Sequence, residues 1–132
     1  MILVDTNILV YLLIEGDRTS SAHELYARDS DWRSEGVILV ELSNVLATYV
    51  RNRALSLGKG KGLLADAETR LPALRSVSHA QALETAAEFG ISGYDARFIA
   101  LAKELRVRLV TEDAKLLTAV PSLTRSLADA IG

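Results

Sequence analysis

The chain opens Met1-Ile2-Leu3-Val4-Asp5-Thr6-Asn7, and this run constrains the fold more than any other feature. Three successive branched apolar residues fit a strand buried on both faces, the pattern of a parallel sheet covered by helices. The run then ends in a carboxylate. A similar run stands near the other end, where Val107-Arg108-Leu109-Val110 leads into Thr111-Glu112-Asp113. Ligands of open parallel sheets gather beyond the carboxyl ends of the strands. If the two strands are neighbours, Asp5 and Asp113 reach the same edge.

Between these runs the spacing predicts mostly helix. Ile8 to Ile14 begin one after the Asp5-Thr6-Asn7 turn. Ser21-Ala22-His23-Glu24 has the capping-box pattern and predicts another from about Ser21. Leu39, Leu42, Leu46 and Tyr49 recur at helical spacing within Val37 to Arg51. Leu57-Gly58-Lys59-Gly60-Lys61-Gly62 places glycine at alternate positions, each costing a helix about 1 kcal/mol, so it reads as a loop or a weak start before Leu63 to Leu71. Arg75 to Val77 fits a short strand. Ser78-His79-Ala80-Gln81 repeats the capping signature, and Gly90 stands where a helix should close. Gly93 to Leu105 predicts a further helix, Arg106 to Thr111 a strand, Ala114 to Leu117 a short helix, and the tail a last strand or helix. Strands alternating with helices indicate an α/β fold with a central, mainly parallel sheet flanked by helices. The length of 132 residues fits one domain over 1–132, with no internal repeat.

Composition narrows the chemistry. With no cysteine, disulfides, thiolate nucleophiles and Cys-based zinc sites are excluded. A net charge of −2 gives no general attraction to nucleic acid, so such binding needs a local patch or bound cations. The apolar run Ile8 to Ile14 is far short of the roughly 20 residues of a spanning helix. No Lys or Arg precedes it and Asp5 interrupts the approach to it, so a signal peptide is not expected. The expectation is a cytoplasmic protein with no membrane partner.

Each acid has a plain reading beside a functional one. Asp5 caps the following helix or serves a site, although Asn7 could cap alone. Asp113 likewise caps the short helix after it. Glu41 lies beside Val37, Ile38, Asn44 and Val45, an apolar setting that is costly for a charge unless it is paired or metal-bound. Otherwise it marks the edge of the stripe and reaches water. Asp95 completes the capping box Ser92-Gly93-Tyr94-Asp95, which does not exclude a site role. Thr6, Asn7 and Thr111 carry neutral oxygens that could orient a carboxylate or a water, or simply close turns. Glu112 should point away from Asp113. His23 and His79 lack a partner at ligand spacing, and Trp32 reads as core or rim.

Taken together, Val4-Asp5-Thr6-Asn7, Glu41, Tyr94-Asp95-Ala96 and Val110-Thr111-Glu112-Asp113 give the chain a pattern that resembles the PIN domain, in the small form of VapC-type toxins. The resemblance spans essentially the whole chain. It implies a PIN-like three-layer fold and a divalent-metal-dependent endoribonuclease using Mg²⁺ or Mn²⁺, one or two ions, held by Asp5, Glu41, Asp95 and Asp113. It also implies a homodimer neutralised by a cognate antitoxin. The glycines of 58–62 depart from the continuous helix the family would have there.

The residues suit that chemistry. Clustered carboxylates repel one another, and hard cations that prefer oxygen ligands relieve this. Such ions activate a water and orient a phosphate for in-line attack, leaving a 5′-phosphate and a 3′-hydroxyl. Acids are absent from Leu42 through Ala65, where Arg51, Arg53, Lys59 and Lys61 form a candidate strip for the RNA backbone, or simply a solvated basic face. Arg97 is a candidate for phosphate or for pairing with an acid. A haloacid-dehalogenase-type phosphatase needs a second Asp where Asn7 stands, and a receiver-like domain needs paired acids after its first strand. The stronger rival is a PIN-like module that binds partners without catalysis.

Overall fold

A computed structural model of the chain describes residues 1–132. Four parallel strands form one sheet: β1 (Ile2–Val4), β2 (Trp32–Arg33), β3 (Leu109–Val110) and β4 (Thr124–Arg125), in the order β2-β1-β3-β4. The helices are α1 (Thr6–Leu13), α2 (Thr19–Arg28), α3 (Val37–Arg51), α4 (Leu57–Arg70), α5 (His79–Phe89), α6 (Gly93–Leu105), α7 (Ala114–Ala119) and α8 (Leu127–Ile131). This is the α/β architecture that the alternation of elements predicts. No helix is long and apolar enough to cross a membrane.

β1 is central because its sequence can be buried on both faces: Leu3 and Val4 are fully buried and Ile2 nearly so. Leu3 pairs with Leu109 and Val4 with Val110 on one side, while Ile2 pairs with Trp32 on the other. The chain thus leaves β1 for one neighbour and later returns to its opposite side. That reversal opens a crevice at the carboxyl ends of β1 and β3, directly before Asp5 and Thr111. The Ser34 hydroxyl, fully buried, donates to the Val4 carbonyl at 2.7 Å and ties the end of β2 to the same edge.

Several elements differ from expectation. Residues 58–62 are helical throughout, within α4, so the glycine run is no interruption. The Ser56 hydroxyl accepts from the Lys59 N–H at 3.1 Å as N-cap. Buried Ala67 and partly buried Leu63 and Leu64 join the core, and this packing outweighs the poor propensity. α2 begins at Thr19 and its N-cap Arg18 makes no side-chain cap, so the Ser21 capping box does not form. Thr19 closes the preceding turn instead, its hydroxyl accepting from the Gly16 N–H and donating to the Ile14 carbonyl. Arg75 forms one isolated parallel bridge with Glu35 rather than a strand. β2 is absent from the sequence reading because two residues are too few to show an alternation. Trp32 is buried there, edge-on to Tyr26 at 5.3 Å.

Two helices end in the same turn with different residues. In α5, Gly90 has φ 65° and the Ile91 N–H reaches the Ala86 carbonyl at 3.2 Å. In α6, Arg106 has φ 56° and the Val107 N–H reaches the Ala102 carbonyl at 3.2 Å. A left-handed conformation strains a residue bearing Cβ but not glycine. Arg106→Gly is therefore expected to stabilise the protein by about 1 kcal/mol, and Gly90→Ala to destabilise it by a similar amount. Urea titration of the two variants against the parent chain measures both signs.

A candidate active site at the sheet edge

Asp5, the residue after β1, is the N-cap of α1, and its Oδ1 accepts from the Ile8 N–H at 3.3 Å. Its Oδ2 accepts from the Thr111 hydroxyl at 2.5 Å, and the Thr111 oxygen in turn accepts from the Asp113 N–H at 3.1 Å. Thr111 thus links the acids that follow β1 and β3. Asp113 caps α7, accepting from Lys115 and Leu116 N–H groups at 2.9 and 3.1 Å. The capping reading and the shared-edge reading hold together for both residues.

The helices complete the cleft. Glu41, half-buried on α3, accepts from the Thr6 hydroxyl at 2.5 Å, so Thr6 orients a carboxylate. Asp95 lies in the first turn of α6, where the Ser92 hydroxyl accepts from its N–H at 3.0 Å. Asn7 is exposed in the first turn of α1. Asp5, Thr6, Asn7, Glu41, Asp95 and Asp113 all line one cleft of about 560 Å³. Val40, Asn44, Val45, Tyr94 and Phe98 line it as well, and nothing in their residue types marks them as site residues. Only position could have done so: Asn44 lies one turn from Glu41, and Tyr94 precedes Asp95.

The electrostatics of the cleft are those of crowded acids. Burial pushes the Asp5 carboxyl from 3.8 up to about 6. The Thr111 hydroxyl and Ile8 N–H pull it down in part, and Asp95 and Asp113 push it further up. Asp95 is also raised, first by burial and then by Asp113. The donor set is entirely oxygen, and its charge is unrelieved by any cation of the chain, which fits a hard divalent ion. As positioned, no three of these acids close on a common point. Asp5 and Glu41 each hold an oxygen toward a threonine hydroxyl instead.

Of the two roles open to Arg97, the structure shows pairing with an acid. Its Nη1 donates to Glu35 Oε2 at 3.0 Å and to the Val77 carbonyl at 3.2 Å, and Nη2 meets His79 Nδ1. Glu35 is 1% exposed, and in the sequence it is simply an acid before a helix, with nothing to mark it. Glu112 does point away from Asp113, accepting from the Leu127 N–H at 2.9 Å and pairing with Arg18. Arg51, Arg53, Lys59 and Lys61 are exposed at the α3–α4 end, outside the acidic cleft.

A parallel sheet with this strand order and an acidic crevice at its reversal point defines a class of α/β protein with its site at the strand ends. The model of the PIN domain matches residues 2–121, and the chain belongs to that family. It is 24% identical over 126 residues to a protein from Pyrobaculum aerophilum named Ribonuclease VapC3, covering 92% of this chain and 96% of that protein. The fold is also similar to the crystal structure of PAE2754 from Pyrobaculum aerophilum, with a TM-score of 0.80 and 19% identity over 98% of this chain and 90% of that one.

The raised Asp5 value sets a direction for stability. Between 3.8 and about 6 the folded chain keeps a proton that the unfolded chain releases, so stability falls as pH rises through that window. The shift corresponds to about 3 kcal/mol. In EDTA at about pH 8, Asp5→Asn is expected to be more stable than the parent by up to that amount, and at about pH 4 the difference should nearly vanish. Denaturant titrations at both pH values check the sign; a variant less stable at the higher pH contradicts the desolvated carboxylate.

Proposed function

We propose that this chain is a divalent-cation-dependent endoribonuclease acting in the cytoplasm as the toxin of a toxin–antitoxin pair. The observation that carries the proposal is the buried Asp5 carboxylate, held by Thr111 at the sheet edge and sharing one cleft with Glu41, Asp95 and Asp113 in a PIN-family chain. Asp5, Glu41, Asp95 and Asp113 would hold Mg²⁺ or Mn²⁺. The bound ion supplies positive charge that orients a phosphodiester and acidifies a water. Water adds to phosphorus, the bond to O3′ breaks, and the proton lost by the water is balanced by one gained at O3′. Thr6 and Thr111 hold Glu41 and Asp5 in fixed orientations, so little reorganisation is needed when substrate enters. The likeness to a protein named Ribonuclease VapC3 supports RNA as the substrate and an antitoxin as the partner, and the homodimer is part of the proposal as the family resemblance implies it.

The test is cleavage of a mixed RNA panel with Mg²⁺, Mn²⁺ or EDTA, beside Asp5→Asn prepared identically. Cleavage is expected only with a cation. The variant should lose more than the roughly 10- to 100-fold that removal of a ligand's hydrogen-bonding neighbour costs. Thermal melting with Mn²⁺ runs in parallel and should show stabilisation that Asp5→Asn lacks. Neither cleavage nor Mn²⁺-dependent stabilisation would leave an inert binding module as the better reading.

The basic end of α3 supplies a path for the rest of the RNA. Arg51 lies seven residues beyond Asn44, about two helical turns, and so shares the face that Asn44 presents to the cleft. Reversing the charge of Arg51 and Arg53 together is expected to raise the apparent Kd for RNA. It should also flatten the dependence of log Kd on log salt by about 0.7 for each phosphate that the variant no longer neutralises. Filter binding across a salt series, using Asp5→Asn to prevent turnover, reads both quantities; an unchanged slope removes the strip.

A further inference from the structure

The acidic cleft has an apolar rim that the metal chemistry does not use. Val40 is 67% exposed and Tyr94 is 65% exposed, and both line the cleft. Each directly precedes an acid of the opposing walls, Val40 before Glu41 on α3 and Tyr94 before Asp95 on α6. Consecutive helical residues are about 100° apart, so an acid turned into the cleft carries its neighbour round to the rim. Of the other aromatic rings, Phe98 is buried and Tyr49, 37% exposed, lies outside the cleft. Tyr26 meets Trp32 edge-on, and cationic side chains lie over Tyr11, Tyr26 and Phe89. The Tyr94 ring has no such neighbour. Its backbone lies in the first turn of α6, beneath the Ser92 cap, so an exposed aromatic ring stands one residue from a site acid.

We propose that Tyr94 is a stacking platform for one nucleobase of single-stranded RNA beside the scissile phosphate, with Val40 closing the opposite side against the same nucleotide. The proposal rests on the ribonuclease reading and adds to it a base-contacting residue outside the acidic set. A phosphate drawn to a cation among the acids brings its two flanking nucleosides to the rim. An acidic cleft has no charge to offer a further phosphate, but an aromatic face accepts any base. Bases of a duplex are paired and stacked on one another, so only a single-stranded, looped or bulged segment presents one to Tyr94. The aromatic face is tolerant of base identity, so this contact selects strandedness rather than sequence.

The experiment is steady-state cleavage of a short RNA with one cut site, and of two copies carrying an abasic nucleotide on either side of the cut. The enzymes are the parent chain, Tyr94→Ala and Tyr94→Phe, each with Mn²⁺. Tyr94→Ala is expected to raise KM or lower kcat/KM about tenfold, and Tyr94→Phe to restore it, because the ring and not the hydroxyl stacks. One abasic substrate should cost the parent a similar factor and cost Tyr94→Ala nothing more. Mn²⁺-dependent thermal stabilisation should be equal in all three proteins, separating base contact from damage to the acids. Unchanged kinetics in Tyr94→Ala, or an abasic penalty that persists undiminished in it, overturns the platform and leaves the nuclease standing. Unchanged kinetics with weakened capture by an antitoxin peptide would reassign the rim to a protein contact. A parent chain that cuts none of the RNAs and gains no stability from Mn²⁺ overturns the nuclease reading and the platform with it.

Discussion

The contact on which the rest of the structure turns is the hydrogen bond from Thr111 to Asp5. It joins the residues that follow the two central strands, across the line where the sheet reverses its order. β1 and β3 could exchange backbone hydrogen bonds without it, but their ends would then present a desolvated carboxylate with one fewer donor. Burial raises Asp5, and Thr111 is the largest opposing influence. A strand buried on both faces has little freedom to move, so the oxygen it delivers is fixed in space. The fold therefore holds a poorly solvated acid at a rigid edge, an arrangement that costs stability and makes sense where a cation or a reaction uses it.

Helix capping and site geometry are the same contacts in this molecule. Asp5 caps α1, Asp113 caps α7, and Asp95 follows the Ser92 cap of α6. A cap fixes a side chain against the first turn of a helix, and three helices start at this sheet edge. The local requirement of each helix thus orients an acid toward a common cleft. Glu41 alone comes from the middle of a helix, which is why it needs Thr6 rather than a cap to hold it.

The sequence shows most clearly what local physics decides alone. The doubly buried β1, the amphipathic α3, the Ser78–Gln81 capping box and the turn at Gly90 are legible because pattern and geometry coincide there. So are the acids at the sheet edge, since a strand that runs into a carboxylate is conspicuous. α4 is obscured because its glycines argue against helix, while the Ser56 cap and packing on the core decide for it. β2 exists through pairing with β1, not through its own two residues. The role of Arg97 is undetermined in the sequence because its partner Glu35 is 62 residues away, and nothing local marks the pair.

That distant pair also explains how two walls from separate parts of the chain keep their spacing. Glu35 accepts from the Val37 N–H at the start of α3, from the Val77 N–H just before α5, and from Arg97 two residues beyond Asp95. Burying such a charge is expensive, and removing either partner would leave the other stranded. The three donors offset that cost and in doing so bind the start of α3 to the start of α6. Those starts govern where Glu41 and Asp95 stand. Packing alone sets helix crossing angles only to within about 15–20°. The Glu35–Arg97 ion pair adds a directional contact between those starts, so a contact outside the cleft helps to hold its two walls.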